Sequence, residues 1–328
     1  MKCLGCYTET KDSYCLSCRR VLFDKVKVGS ELGFGAPAAN NLGAFQQYSK
    51  QLSISGVQLK YSLHLEEKQL VLTEKAGQYL LKPIPPARHL LHVEEVPENE
   101  HLTMQIAKQV FKIDTAMNGL LFFNDKQPAY FTRRFDVKHD GTKYLQEDFA
   151  QLTNRTQYSH GEAFKYSGTY EEIGILIRRY VAAAMPALEK FFQLVVFNYV
   201  ISNGDAHLKN FSLIRDDNGE YSLTPAYDLI STVIHTPHEA DTALDLYPGD
   251  IDSDYYQTYG HYGRPDFMEL SRRLGIMEKR AERILDFFCT NENNVFALIE
   301  KSFLSEPVKK LYCVNFIDKI ARIQPISA

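Results

Sequence analysis

Asp205 and Asn210 stand five residues apart in the run Asn203-Gly204-Asp205-Ala206-His207-Leu208-Lys209-Asn210-Phe211, and Asp228 follows eighteen residues after Asn210 within Ala226-Tyr227-Asp228-Leu229. These residue types in this order suit phosphoryl transfer. That reaction needs a carboxylate to accept the nucleophile's proton, and an amide with a second carboxylate to hold magnesium against the nucleotide phosphates. The protein-kinase pattern H-R-D-L-x-x-x-N spaces its Asp and Asn in the same way and carries the metal-binding Asp further on. The competing reading is that Asp205 and Asn210 only shape turns, which both residue types favour. Read as chemistry, Asp205 is the base, and Asn210 and Asp228 hold Mg2+. Lys209 supplies a cation against charge developing on the transferred group. His207 orients the loop, because Asp205 already fills the role of base.

Such a loop needs rigid neighbours. Residues 191–201 are apolar enough for a buried helix that leads into it. After it, 211–215 and 221–224 read as two strands about the turn Asp216-Asp217-Asn218-Gly219, with Pro225 ending the second. This hairpin returns Asp228 to the end where Asn210 lies. Upstream, Ser53-Ile54-Ser55-Gly56 sets two hydroxyls beside a flexible glycine, a turn that can offer backbone N–H groups to phosphate or serve as an ordinary hairpin turn. It is not a Walker A loop. Residues 58–65, 69–73 and 78–82 then read as an antiparallel meander. Lys82 ends its third strand just before Pro83, either as a solvated surface charge or as the lysine that bridges phosphate and a helix carboxylate. A helix begins at Pro97-Glu98-Asn99-Glu100 and continues to 110, with Glu100 as the partner for Lys82 and Glu98 as its substitute. Carboxylates in a first helical turn also serve the helix dipole without any nucleotide. Two further strands, 119–123 and 127–133, lead to Phe135-Asp136.

The stretch 203–212, with its D-x-H-x-K-N-F-S core, and Tyr227-Asp228-Leu229-Ile230-Ser231 resemble the HipA family of bacterial serine/threonine kinases, toxins of HipBA-type toxin–antitoxin systems. Ser53-Ile54-Ser55-Gly56-Val57-Gln58-Leu59-Lys60 resembles that family's phosphate loop, Tyr79-Leu80-Leu81-Lys82-Pro83 its ATP-lysine strand, and Thr132-Arg133-Arg134-Phe135-Asp136 its hinge. The matches run in family order over roughly 50–270. The resemblance implies a bilobal α+β kinase fold and ATP with Mg2+ as cofactors. It implies that Ser53, Ser55, Gly56, Lys82, Glu100, Arg133 and Phe135 line the nucleotide site, and that Ser53 or Ser55 is autophosphorylated, placing charge where phosphates must bind. It further implies phosphorylation of a translation component such as an aminoacyl-tRNA synthetase, and a HipB-like DNA-binding antitoxin as partner. The chain is similar to the short, HipT-like form, in which the N-terminal subdomain is a separate small HipS-like protein. Arg133 departs from the acidic hinge residue expected there, which puts the adenine contact in question.

The N-terminus carries an independent signal. Cys3-x-x-Cys6 and Cys15-x-x-Cys18 are paired knuckles able to close a tetrahedral structural Zn2+ site, although the gap between them is short. Two disulfides compete with this reading and are disfavoured in a reducing compartment. A zinc here would fold a segment too small to bury a core of its own. Cys289 and Cys313 read as packed thiols.

At 328 residues, 45% apolar and 24% charged, the chain is expected to fold as a bilobal globular protein with a small appendage. The expected divisions are 1–25 for the four-cysteine zinc knuckle, 26–136 for a β-rich lobe and 137–328 for a helical lobe. A net charge of −4 argues against a surface that coats nucleic acid, though not against a local basic patch, and the resemblance implies DNA contact only through the antitoxin. No apolar run is long enough to span a membrane and no signal-peptide stretch opens the chain, so a cytoplasmic protein is expected. Asp250-x-Asp252-x-Asp254 begins like a calcium loop, but Tyr255 and His261 occupy the required Gly and Glu positions. His235-Thr236-Pro237-His238-Glu239 lacks a helical ligand spacing, and Gly29, Gly33 and Gly35 do not form a dinucleotide fingerprint. Helices are expected over 170–184, 267–274, 277–289, 294–303 and 306–323. Two other classes stay open: a small-molecule kinase, whose acceptor would be a soluble metabolite, and a catalytically silent kinase-like module in an antitoxin–DNA complex.

Overall fold

The computed structural model describes residues 1–37, 59–75, 77–86, 89–138 and 140–325. A five-stranded antiparallel sheet is built from β1 (Tyr61–Glu66), β2 (Gln69–Leu72), β3 (Tyr79–Pro83), β4 (Asn118–Phe122) and β5 (Pro128–Arg133), in the order β2-β1-β3-β5-β4. The expected meander is therefore corrected, because β1 rather than β2 lies between its two neighbours. Tyr61 and Leu63 of β1 are fully buried, whereas β2 exposes Gln69 and takes the edge. The link back to β3 crosses β1, with Thr73 N donating to Ser62 O and Gln78 N to Leu63 O, both at 2.9 Å. Gly77 makes that crossing feasible, since a Cβ there would sit 1.9 Å from Ser62 Oγ.

Helix α1 (Leu16–Phe23) and the two knuckles pack onto this sheet rather than standing apart from it. Phe23 stacks on Phe131 at 5.8 Å, Tyr14 OH donates to Leu120 O at 2.6 Å, and Tyr79 OH donates to Leu22 O at 2.7 Å. Residues 30–32 run beside β4, where Phe122 N donates to Ser30 O and Leu32 N to Phe122 O, each at 2.8 Å. They cover an edge that would otherwise present unpaired backbone groups.

Helix α2 (Val96–Gln109) starts with Pro97 in its first turn, where the missing N–H costs nothing, and is buried along most of its length between the sheet and the helical part. A second sheet, β6 (Leu145–Asp148), β7 (Ser212–Arg215) and β8 (Tyr221–Leu223), is antiparallel throughout. Its β7–β8 hairpin is the expected one, and β6 joins it from before the Asp205 loop. Short helices α3 (Phe149–Leu152) and α4 (Gln157–His160) precede α5 (Tyr170–Tyr180) and the apolar α6 (Ala184–Val200). The remainder is helical: α7 (Asp254–Tyr259), α8 (Arg264–Arg273), α9 (Glu278–Cys289), α10 (Glu292–Lys301) and α11 (Glu306–Ile323). This is the expected α+β, kinase-like division. No helix among the described residues is long and apolar enough to cross a membrane.

Candidate active site

Leu188, Phe191, Phe192 and Val196 fix α6 in the core, so the loop leaving its C-terminus starts from a rigid base. Asn203 N donates to Asn198 O at 2.9 Å, and Asn203 Oδ1 accepts from Asp205 N at 3.2 Å. Gly204 N donates to Thr232 Oγ1 at 2.8 Å, and a Cβ on Gly204 would lie 2.6 Å from Ala240 O, so a side chain there is excluded. Tyr170 OH holds Ala206 O at 2.9 Å. His207 N donates to Asn210 Oδ1 at 3.1 Å, and Asn210 N donates back to His207 O at 2.9 Å. These bonds leave the Asp205 side chain half-exposed, at 50%, above the buried Ala206, His207 and Leu208. Burial pushes the His207 imidazole down to about 4, so near neutrality the ring is uncharged, with Nε2 3.8 Å from Asp205 Oδ1.

A second group of charges converges from three elements. Lys82 on β3 is 2% exposed, and its Nζ donates to Glu100 of α2 and, at 2.6 Å, to Asp228 Oδ1. Lys60 Nζ donates to Asp228 Oδ2 at 3.1 Å. Burial would raise the Asp228 carboxyl, but Lys60 and Lys82 outweigh it and hold the group well below the usual carboxylate range. Burial opposes the charge on Lys82, yet Asp228 and Glu100 keep its ammonium above the ordinary lysine range. Asp228 has φ +56°, a left-handed conformation that Asp tolerates better than most residues and that turns its carboxylate away from the run of the chain. Asn99 Nδ2 donates to Ser231 O at 2.9 Å, tying α2 to the Asp228 segment, and Tyr227 OH donates to Lys209 O at 2.9 Å, tying that segment to the Asp205 loop.

The structure thus pairs Lys82 with Glu100 and leaves the substitute, Glu98, facing Tyr7, its carboxyl pushed up to about 7 by burial. Phe135 lies beside Tyr227 with ring centroids 5.8 Å apart. Lys209 is exposed, with Nζ 5.9 Å from the Phe164 ring. Ser53, Ser55 and Gly56 lie outside the described residues. The Arg133 side chain is engaged by the N-terminal segment. Its guanidinium forms a two-pronged ion pair with Asp24, at 2.9 and 2.8 Å, and donates to Val21 O at 3.0 Å, because the α1 segment packs on that side of the sheet. Its side chain ties the N-terminal segment down.

Sequence patterns assigned no role of their own to Lys60, Lys165 or Tyr166. Tyr166 OH donates to Asp205 Oδ1 at 2.5 Å, and Lys165 Nζ lies 3.9 Å from the same oxygen. Both come from a short 3-10 turn, Phe164–Tyr166, separated from the motif by α5 and α6 and marked by no local spacing.

The four N-terminal cysteines gather their sulfurs within 4.8 Å of one another, and Cys6 and Cys15 Sγ are 3.7 Å apart. A Zn–S bond of about 2.3 Å gives a tetrahedron with edges of about 3.8 Å, so the donor set fits zinc. Gly5 N and Cys15 N point at Cys3 Sγ at 3.4 and 3.2 Å, as suits a thiolate. All four are free thiols in the structure. This cluster also touches α2, since Gln109 Nε2 donates to Cys6 O at 3.2 Å and the Tyr7 ring lies 5.0 Å from that of His101. Asp250 is a buried anchor that accepts from Leu246 N and Tyr262 OH. His235 is hydrogen-bonded to Leu91 O and Asn99.

Comparison with known proteins places the chain by family and fold. The model of the HipA-like C-terminal domain family matches residues 52–295. A Haemophilus influenzae protein with a provisional kinase name is 28% identical over 279 residues, covering 80% of this chain and 78% of that protein. The Shewanella oneidensis serine/threonine-protein kinase toxin HipA is 24% identical over 213 residues, 60% of this chain and 47% of the toxin, so the chain spans about half of that relative's length. Among solved structures, the Shewanella oneidensis complex of HipA, HipB and operator DNA aligns with TM-score 0.62 at 19% identity, over 83% of this chain and 65% of that one. The Helicobacter pylori proinflammatory kinase CtkA aligns with TM-score 0.52 at 15% identity, over 81% and 90%. At these identities the two structures speak to the fold.

Proposed function

The chain belongs to the family of HipA-like C-terminal domains, and on that premise we propose that it is an ATP- and magnesium-dependent kinase acting on Ser or Thr hydroxyls of a protein. The observation that carries the proposal is the buried Lys82 ammonium shared between Glu100 and Asp228, held against the Asp205 loop. A kinase needs this lysine–glutamate pair and metal aspartate in place together.

In the proposed step, a bond forms between the acceptor oxygen and the γ-phosphorus while the bond to the bridging oxygen of ADP breaks. The acceptor's proton passes to the Asp205 carboxylate. Lys82 positions the phosphates, and Asn210 and Asp228 would hold magnesium through hard oxygen donors, a bound magnesium supplying positive charge against the nucleotide phosphates. Lys60 would exchange its hold on Asp228 for the phosphates as nucleotide enters.

Further parts of the proposal rest on the family. Ser53 or Ser55 is the autophosphorylation site, the acceptor protein is a translation component such as an aminoacyl-tRNA synthetase, and the setting is cytoplasmic. The partners are a HipB-like antitoxin, by analogy with the HipA–HipB–operator complex, and a HipS-like small protein. We take residues 1–25, 26–136 and 137–328 as knuckle, sheet lobe and helical lobe, with Cys3, Cys6, Cys15 and Cys18 holding one zinc. The test is transfer from γ-labelled ATP with magnesium in the presence of a desalted bacterial lysate. Label in precipitated protein supports the proposal. Label confined to small molecules added back from the lysate points to a metabolite kinase, and none in either fraction points to a silent module.

A further inference from the structure

Lys165 is the strongest feature that the proposed mechanism leaves unused. Its side chain is 15% exposed, yet among the described residues its Nζ makes no hydrogen bond. The nearest carboxylate oxygen, Asp205 Oδ1, is 3.9 Å away and already accepts the Tyr166 hydroxyl at 2.5 Å. The stem is largely covered while the three N–H donors of the ammonium take no protein acceptor, which leaves them for solvent or for an incoming anion. The Tyr166 ring, 4.8 Å from Nζ, and the Tyr166 contact with His207 at 5.2 Å hold the segment against the catalytic loop.

The charges around Lys165 show what would satisfy it. Burial pulls the ammonium below the ordinary lysine range. Asp205 and Asp228 act to restore it, and Lys209 and Lys60 act against it. Lys165 thus stands beside Asp205 and within electrostatic reach of Asp228 and of two further lysines. Asp228 is already neutralised by Lys60 and Lys82. A cation beside Asp205, within reach of other lysines and of an already neutralised Asp228, suits a group with several negative oxygens. In the step proposed above, that is where the γ-phosphoryl group passes to the acceptor.

We propose that Lys165 is a further catalytic residue, whose ammonium donates to the γ-phosphoryl oxygens of ATP as the group moves toward the acceptor beside Asp205. Tyr166 serves it as a positioning residue by occupying Asp205 Oδ1, which leaves the ammonium free for phosphate. No bond to Lys165 forms or breaks, and the acceptor's proton still goes to Asp205. The inference rests on the kinase reading.

The test is a binding comparison that needs no protein substrate. Isothermal titration would measure magnesium β,γ-imido-ATP and magnesium ADP against the full chain and its Lys165→Met, Lys165→Gln and Lys165→Arg variants, each checked for an unchanged circular-dichroism spectrum. Loss of a charge-assisted hydrogen bond should weaken imido-ATP by about tenfold or more in the Met and Gln variants, while ADP shifts by less than about twofold. The Arg variant should retain most of the imido-ATP affinity, since it keeps a cation. Equal weakening of both nucleotides, or of neither, overturns the inference while the kinase reading stands. A wild-type chain that binds neither nucleotide overturns both. Three misfolded variants would make Lys165 a structural residue and overturn the inference as well.

Discussion

Lys82→Met removes a cation from between two carboxylates, and the consequences for the two differ. Asp228 is 26% exposed and keeps Lys60, whereas Glu100, 2% exposed, loses the one hydrogen-bond partner its carboxylate has among the described residues. Breaking a buried ion pair by removing one member costs about 3–5 kcal/mol. Glu100 can escape part of that cost by taking up a proton, so the loss should fall near about 3 kcal/mol at neutral pH. In a chain of this size that corresponds to a melting temperature lower by about 4 °C. Glu100→Gln in the same background removes the stranded charge and should recover about 1–2 kcal/mol. The sign with pH follows from Glu100, whose carboxyl burial already raises and which loses its Lys82 counterweight. An acid raised in the folded state loses stability as pH climbs above its unfolded value of about 4.3, so the gap between the single and double variants should widen from there toward neutrality. Urea unfolding at pH 5 and pH 7.5, followed by circular dichroism, measures both. A Lys82→Met protein within about 0.5 kcal/mol of wild type, or a Glu100→Gln change that adds a cost instead of relieving one, would refute the buried-pair account.

Metal analysis should find one zinc per chain, lost in Cys18→Ser, and a chelator should expose four further thiols to titration and weaken hydrogen-exchange protection over 96–109, because the cluster holds Gln109 and His101. Two disulfides in the purified protein would contradict this. Glu98, pushed up to about 7 by burial, keeps a proton that the unfolded chain releases near about 4.3, so wild-type stability should fall relative to Glu98→Gln across that interval and run parallel above it. Stability curves parallel from pH 4 to pH 8 would show that Glu98 titrates normally.

The features legible in the sequence are those whose cause is local. Asp205, Asn210 and the hairpin to Asp228 were readable because spacing, turn residues and strand alternation all act within a few residues of one another. Lys82 and Glu100 could be proposed as partners because a strand lysine and an acidic helix start follow in order, and the two do meet. Strand order was not readable: β1, β2 and β3 are all short and mixed in polarity, and the choice was made by burial of Tyr61 and Leu63 and by a crossing that only Gly77 permits. The Arg133–Asp24 pair was not readable, because Asp24 lies 109 residues away on a segment whose docking leaves no periodic trace. Lys60, Lys165 and Tyr166 were missed for the same reason, since each reaches its carboxylate through tertiary packing. The Cys-x-x-Cys pairs announced a metal site, but their contact with α2 depends on Tyr7 and Gln109, whose residue types carry no such message.

A base role for Asp205 in the proposed protein kinase makes autophosphorylation depend on its carboxylate. Intact-mass spectrometry of the full chain and of Asp205→Asn, each incubated with magnesium and ATP, tests it most directly. The account predicts a phosphate mass on wild type, carried on Ser53 or Ser55, and none on the variant. Phosphate acquired equally by both proteins, or by neither although magnesium ATP binds, would contradict it.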